Sequence, residues 1–168
     1  MNNAVPVRRW SVAGMARAVE VIALAPSRFP MSLTQLVLRV ALAVPFWRSG
    51  LTKWDGFLHL SDNGLYLFAE EFRLHLFGGE YPFPAPHLAA YLSASGEIVF
   101  PILLVFGLGT RFAALGILAM TAIIQLTIPE GWANFHLAWA AMALAIITYG
   151  PGRIALDAAI ARLCAKRP

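Results

Sequence analysis

The stretch LTQLVLRVALAVPFWRSGLTK, Leu33 to Lys53, decides the fold. It is long and apolar enough to enter a bilayer, yet it carries Arg39 within the apolar run and Arg48 and Lys53 near its far end. A charge at bilayer depth costs about 2.5–3.5 kcal/mol on insertion scales unless it faces a protein interior and finds a partner. A helix built from this stretch therefore needs neighbours. On a helical wheel Gly50 and Lys53 fall within about 40° of Arg39, while Arg48 points to the opposite side. Pro45 removes one backbone hydrogen bond and is expected to kink the helix.

The rest of the chain supplies those neighbours. Of 168 residues, 59% are hydrophobic and 13% are charged, against about a quarter charged in an ordinary soluble domain. Four runs are long enough to cross about 30 Å of hydrocarbon at ~20 residues each. They are expected near 32–51, 88–108, 112–128 and 132–149. The chain thus reads as an all-α, integral membrane four-helix bundle over 32–152. Residues 1–31 precede it as a basic N-terminal interfacial segment, with an amphipathic helix between Trp10 and Leu24. Arg17 and Glu20 interrupt that helix, which argues against a signal peptide. A basic tail, 153–168, follows.

Loop 54–87 connects the first two spans. With Lys53 it holds five acids against two bases. Leu65, Phe68, Phe72 and Leu76 recur at a helical period, so a short amphipathic helix is expected over Leu65–Leu76. Three prolines in YPFPAPH, Tyr81–His87, predict an extended approach to the second span. Gly109, Thr110 and Arg111 predict a tight turn between the second and third spans.

Charge asymmetry sets the orientation. The N-terminal segment, the second loop (Arg111) and the tail are basic, whereas the first and third loops are acidic. Both termini are therefore expected in the cytoplasm of a bacterial inner (plasma) membrane protein, with loop 54–87 outside. The net charge of +4 is spread along the chain instead of gathered in a patch, so the expected partner is the lipid bilayer and not nucleic acid. The single cysteine, Cys164, excludes an intramolecular disulfide and a Cys-x-x-Cys motif.

Four local patterns stand out in order and spacing: RVALAVPFWRSGLTKW at Arg39–Trp54, then Glu97 followed by PILLVFGLGTRFAALG at Pro101–Gly116, then MTAIIQL at Met120–Leu126 with PEGWANFHLAWAA at Pro129–Ala141, and GPGRIALD at Gly150–Asp157. Together they resemble the DoxX family of small four-span bacterial membrane proteins, with Ala155 in place of the family's usual serine. GEYPFPAP at Gly79–Pro86 is similar to the subgroup with a longer first loop. The resemblance implies a subunit or partner in quinone-linked membrane redox chemistry, since the family is named for a subunit of an archaeal thiosulfate:quinone oxidoreductase. It also implies a fold like that of disulfide-forming quinone reductases, whose paired cysteines this chain lacks. The alternative it leaves open is a non-enzymatic scaffold or small transporter in a peptide- or metal-handling pathway, working with redox or peptide-maturation partner proteins. A quinone is the cofactor the resemblance suggests.

Two residue groups carry the site expectations. Arg39 and Glu97, placed at nearby depths on antiparallel spans, are expected to pair. Such a pair serves either as a polar site for a quinone headgroup, proton or anion, or as a purely structural link. Lys53, Gln125, Asn134 and His136 are expected to line an outward pocket, His136 being able to relay a proton. The remaining histidines, His59, His75 and His87, match no metal-binding spacing, so no metal site is expected. Tryptophans near the span ends, among them Trp54 and Trp132, fit an interfacial belt.

Overall fold

The computed structural model describes residues 14–17, 19, 20 and 29–165. The chain divides into two units, residues 1–30 and 31–168. In the first unit, residues 14–17 and 19–20 are helical. Most of the expected helix between Trp10 and Leu24 lies outside the described residues.

The second unit is built on four long or medium helices. α1 spans Met31–Leu51 with Pro45 inside it. After the first loop, α3 spans Pro86–Phe106, α4 Thr110–Thr127 and α5 Leu137–Tyr149. α1 packs chiefly on α3, α3 on α4, α4 on α5, and α5 back on α1, closing a ring. Its centre is Leu42, Ala43 and Phe46 of α1, Leu104 of α3, Ala113, Ala114 and Ile117 of α4, and Ala143 and Ile146 of α5. Small residues at four of these nine positions bring the helices close together, as membrane bundles favour. The outward faces are also apolar: Val37, Leu92, Val99, Leu115, Ile123 and Leu144 are all exposed. An apolar exterior around a packed interior needs a lipid solvent. Among the described residues, Pro86–Phe106, Thr110–Thr127 and Pro129–Tyr149 are long and apolar enough to cross a membrane. α1 has the length but interrupts its apolar run with Gln35, Arg39 and Arg48.

The first loop differs from expectation. Leu65–Leu76 is not one helix. α2 covers Asp62–Tyr66, started by Ser61, whose hydroxyl accepts from the Gly64 N–H at 3.0 Å. A π-helical turn, Leu67–Glu71, follows, and Phe72 leaves it in an extended conformation. The chain then forms a hairpin, β3 (Arg73–Leu76) with β4 (Gly79–Pro82), in register Leu76 opposite Gly79. Here, after β1 (Trp54–Gly56) and β2 (His59–Leu60), turn chemistry prevails over helical periodicity. Phe77 and Gly78 both adopt positive φ, 50° and 81°, the two-residue geometry that suits the twist of paired strands. The aromatic side chains still bury together. Phe68 lies 5.2 Å from Phe72 and 5.3 Å from Phe83 between ring centres, over Ala90 and Ala94 of α3.

The turn between α3 and α4 is also displaced from Gly109–Arg111. It is Gly107-Leu108-Gly109, with both glycines left-handed, and Thr110 and Arg111 already belong to α4. Gly107 thereby ends α3 with its N–H turned back to the Leu103 and Leu104 carbonyls, a glycine C-cap. The fourth expected span begins differently from a plain helix. Pro129–Gly131 is a 3₁₀ turn and Trp132–His136 a π-helical turn, before α5 proper. Beyond α5, α6 (Leu156–Ala165) forms part of the basic tail. Lys166 and Arg167 lie outside the described residues.

Candidate functional site

Arg39 and Glu97 do not pair. Arg39 is fully buried and spends its guanidinium on backbone. Nη1 donates to the carbonyls of Leu104 (2.8 Å) and Val105 (3.2 Å), and Nη2 donates to the carbonyl of Ile154. The last turn of a helix leaves carbonyls without intrahelical partners and carries partial negative charge. The end of α3, with the Ile154 carbonyl, thus holds both terminal nitrogens of a cation without a carboxylate, while its buried Nε has no partner among the described residues. The nearest acid in charge terms is Asp157. Its oxygens accept from the Gly109 N–H (2.8 Å), the Thr110 N–H (2.9 Å) and the Thr110 hydroxyl (2.8 Å), capping α4 from 47 residues away. Burial pushes the Asp157 carboxyl up. The donors of Thr110 and Gly109, with the Arg39 charge, outweigh burial and hold it below the usual carboxylate range.

Glu97 instead pairs with Lys53, a residue expected in the outward pocket. Lys53 Nζ lies 2.5 Å from Glu97 Oε2. Two serines complete the cluster, each one helical turn before its partner: Lys53 Nζ donates to Ser49 Oγ at 2.9 Å, and Ser93 Oγ donates to Glu97 Oε1 at 3.1 Å. Gly50 makes the approach possible, because a Cβ there would lie 3.0 Å from Glu97 Cβ and 2.9 Å from Ile98 Cδ1. Lys53 sits just past α1, its N–H held by the Gly50 carbonyl. Gly50 and Lys53 thus share one side of the first span, as the helical wheel implies, but the cation that meets Glu97 is Lys53 and not Arg39.

This ion pair lies in the wall of a cavity of about 1020 Å³. α3 and α4 form its long sides, with Phe100 and Met120 among the lining residues, while Phe68, Phe72 and Phe83 of the first loop close part of it. Asn134, His136 and Trp139 line another part. Two expected pocket residues, Asn134 and His136, therefore share one cavity with Lys53 and Glu97. Gln125 stands behind it, lining a smaller space of about 320 Å³, and its Oε1 lies 2.7 Å from His136 Nδ1. The π-helical turn, which ends on His136, inserts an extra residue into the helix and re-aims this ring, as such turns do at functional sites. Gly131 leaves room for it: a Cβ there would collide with the imidazole. Arg39 takes no part in the cavity.

Ser49 and Ser93 escaped the sequence reading, although their spacing of four from Lys53 and Glu97 is the helical signal that would find them. Asp157 lay in a quoted motif, but nothing local marked it as a cap for α4. His75 binds neither His59 nor His87. It lies 3.1 Å from the Leu126 carbonyl and 3.6 Å from Glu80. Among the described residues no group of three His, Cys, Asp or Glu side chains is placed to hold a metal ion.

The sequence matches the DoxX family profile over residues 34–130. The chain belongs to the DoxX family. The match takes in Arg39, Lys53, Glu97 and Gln125 and stops short of His136. Like DoxX proteins generally, the chain is a membrane protein with several apolar helices. It is also 30% identical over 140 residues to an uncharacterized protein of Haemophilus influenzae (strain Rd), covering 76% of this chain and 83% of that one. No solved structure matches this DoxX protein.

Proposed function

We propose that this DoxX protein is a four-span subunit or partner in quinone-linked redox chemistry of the bacterial inner membrane. α1 would serve as the fourth span, and both termini would face the cytoplasm. The observation that carries the reading is the Lys53–Glu97 pair in the wall of the apolar cavity. A quinone is a flat, neutral headgroup on an apolar tail. It suits a cavity of this size with aromatic walls and a small polar cluster. Glu97, held by a lysine and a serine, is the proton-handling group: a carboxylate beside a ligand exchanges protons in a way that a guanidinium cannot. The four-span reading is supported by the residues of α1, since Gln35, Arg39 and Gly50 are buried against neighbours while Val37, Val40, Val44 and Trp47 are exposed and apolar.

Extraction of the purified protein with organic solvent, followed by chromatography, tests the reading. Co-purified quinone in near-stoichiometric amount, lost in Glu97→Ala, supports it. A quinone-free preparation that also fails to bind added short-chain quinone refutes it. One observation favours a second reading, a non-enzymatic scaffold or small transporter: Lys53 and Glu97 satisfy each other, and a structural pair needs no ligand. A stable partner protein in a quinone-free preparation would favour that reading.

A further inference from the structure

The same cavity holds a second polar feature whose hydrogen bonds run in one direction. The Pro129 carbonyl can only accept, and Gln125 Nε2 donates to it at 3.1 Å. This fixes the amide so that Gln125 Oε1 faces His136. That oxygen can only accept, so His136 Nδ1, at 2.7 Å, carries the proton. In a neutral imidazole Nε2 is then a bare acceptor. No hydrogen bond to Nε2 is present among the described residues, and the ring lines the cavity. At the other polar feature both carboxylate oxygens are already taken, Glu97 Oε2 by Lys53 and Glu97 Oε1 by Ser93. Asn134 adds an amide that serves either role. His136 Nε2 therefore offers a ligand an acceptor, beside Trp139, whose ring centre lies 5.4 Å from that of His136.

We propose that the cavity selects the quinol over the quinone form of its ligand, one quinol hydroxyl donating to His136 Nε2. This rests on the quinone reading above and narrows it to one redox state. A quinone presents only carbonyl acceptors, so it meets this nitrogen lone pair to lone pair. A quinol has hydroxyl donors, which suit a lining whose charged groups are Lys53, Glu97 and Glu130, with carboxylate acceptors outnumbering the one cation. An anionic lipid or fatty acid would find no free cation among the lining residues described, since Lys53 is engaged. Gln125 is a positioning residue here, setting the tautomer without touching the ligand.

Equilibrium dialysis of the intact protein in lipid nanodiscs, with decylubiquinol kept reduced under argon and with decylubiquinone, provides the test. The parent is expected to bind the quinol about tenfold more tightly, the worth of one hydrogen bond made against one refused. His136→Phe removes the acceptor, and Gln125→Leu frees the tautomer while keeping the ring. Each should bring the two forms to within about twofold of each other. Equal binding of both forms by the parent overturns the proposal and leaves the quinone reading intact. So does a preference that survives both substitutions. If the parent binds neither probe, the quinone reading fails and this proposal fails with it.

Discussion

Two cations are buried along the first span, Arg39 within α1 and Lys53 just past its end, and the protein treats them differently. Arg39 sits in solid packing where three helix ends meet side chains. The guanidinium takes the last carbonyls of α3, Gln35 Nε2 donates to the Tyr149 carbonyl at the end of α5 (2.9 Å), and Asp157 caps the start of α4. Lys53 sits against a carboxylate at the edge of an open space. An arginine is permanently charged, and its planar fork fits several fixed acceptors at once. A lysine–carboxylate pair can give up or take a proton and can be re-solvated by whatever fills the cavity. Burial of a charge thus does not by itself mark function. What distinguishes the two is whether the charge borders space.

The most damaging way to break this contrast is to remove Arg39. Arg39→Ala takes the guanidinium from three backbone carbonyls, of which Leu104 keeps the Gly107 N–H, and removes the positive charge beside Asp157. The expected loss is about 5 kcal/mol, the upper end for breaking a buried charged contact. Arg39→Lys should not restore it, because one ammonium cannot reach acceptors on two segments with the geometry of a fork. Folded yield by size-exclusion chromatography checks both variants, and parent-like yield would show that the Arg39 end is not the structural one.

Smaller effects are expected at the other end. Lys53→Met or Glu97→Gln each leaves a partner group unmatched, but the cavity admits water or ligand to solvate it. The cost should sit near 3 kcal/mol, the lower end for a buried pair. The double variant, Lys53→Met with Glu97→Met, strands no charge and should recover most of the stability. If it is stable yet no longer binds quinone, the pair is functional. If it is stable and binds as the parent does, the pair is a structural link and the contrast between the ends of α1 disappears.

Acid exposes a still smaller effect at the Arg39 end. Asp157 has its folded-state pKa held below the unfolded value of about 3.9. Its contribution to stability is therefore present above pH ~4 and fades as pH falls through the lower, folded value. Asp157→Asn keeps the shape and loses the charge, so it should cost about 1–2 kcal/mol at neutral pH, in the range of a helix N-cap. It should also flatten the acid limb of stability below about pH 5 relative to the parent. An unchanged acid limb would remove Asp157 from the group of contacts that closes this end.

The pattern of apolar runs made the helices legible, because period and length are carried by every residue of a span. α1, α3 and α4 lie within two residues of their expected positions. Side-chain partners were less legible. Arg39 and Glu97 were matched by sign and depth, but a wheel and a rise per residue do not register helix-end carbonyls, which are acceptors present in every sequence. The hairpin after Glu71 was hidden for a related reason. Leu65, Phe68, Phe72 and Leu76 keep a helical period, and the turn at Phe77-Gly78 is decided by two positive φ angles, one of them on a phenylalanine that no turn rule selects. His136 was found as a residue, while its tautomer became readable only once Pro129, Gln125 and the ring were in place together.

The smallest expected effect assigns the two ends of α1 to sides of the membrane. Cys164 lies exposed on α6, the helix that follows Asp157 and so belongs with the Arg39 end. Cys164→Ser removes a thiol that is unpaired and outside both the packed end and the cavity. It should change stability by less than about 0.5 kcal/mol, as exposed substitutions usually do, and leave quinone binding untouched. The cysteine then serves as a neutral reporter. If basic segments mark the cytoplasmic side, an impermeant maleimide added to intact cells leaves Cys164 unlabelled, and a permeant one labels it. That result places the Arg39 end inside and the Lys53–Glu97 cavity toward the outer face. Labelling by the impermeant reagent reverses the protein in the membrane, and with it the side from which protons would reach Glu97.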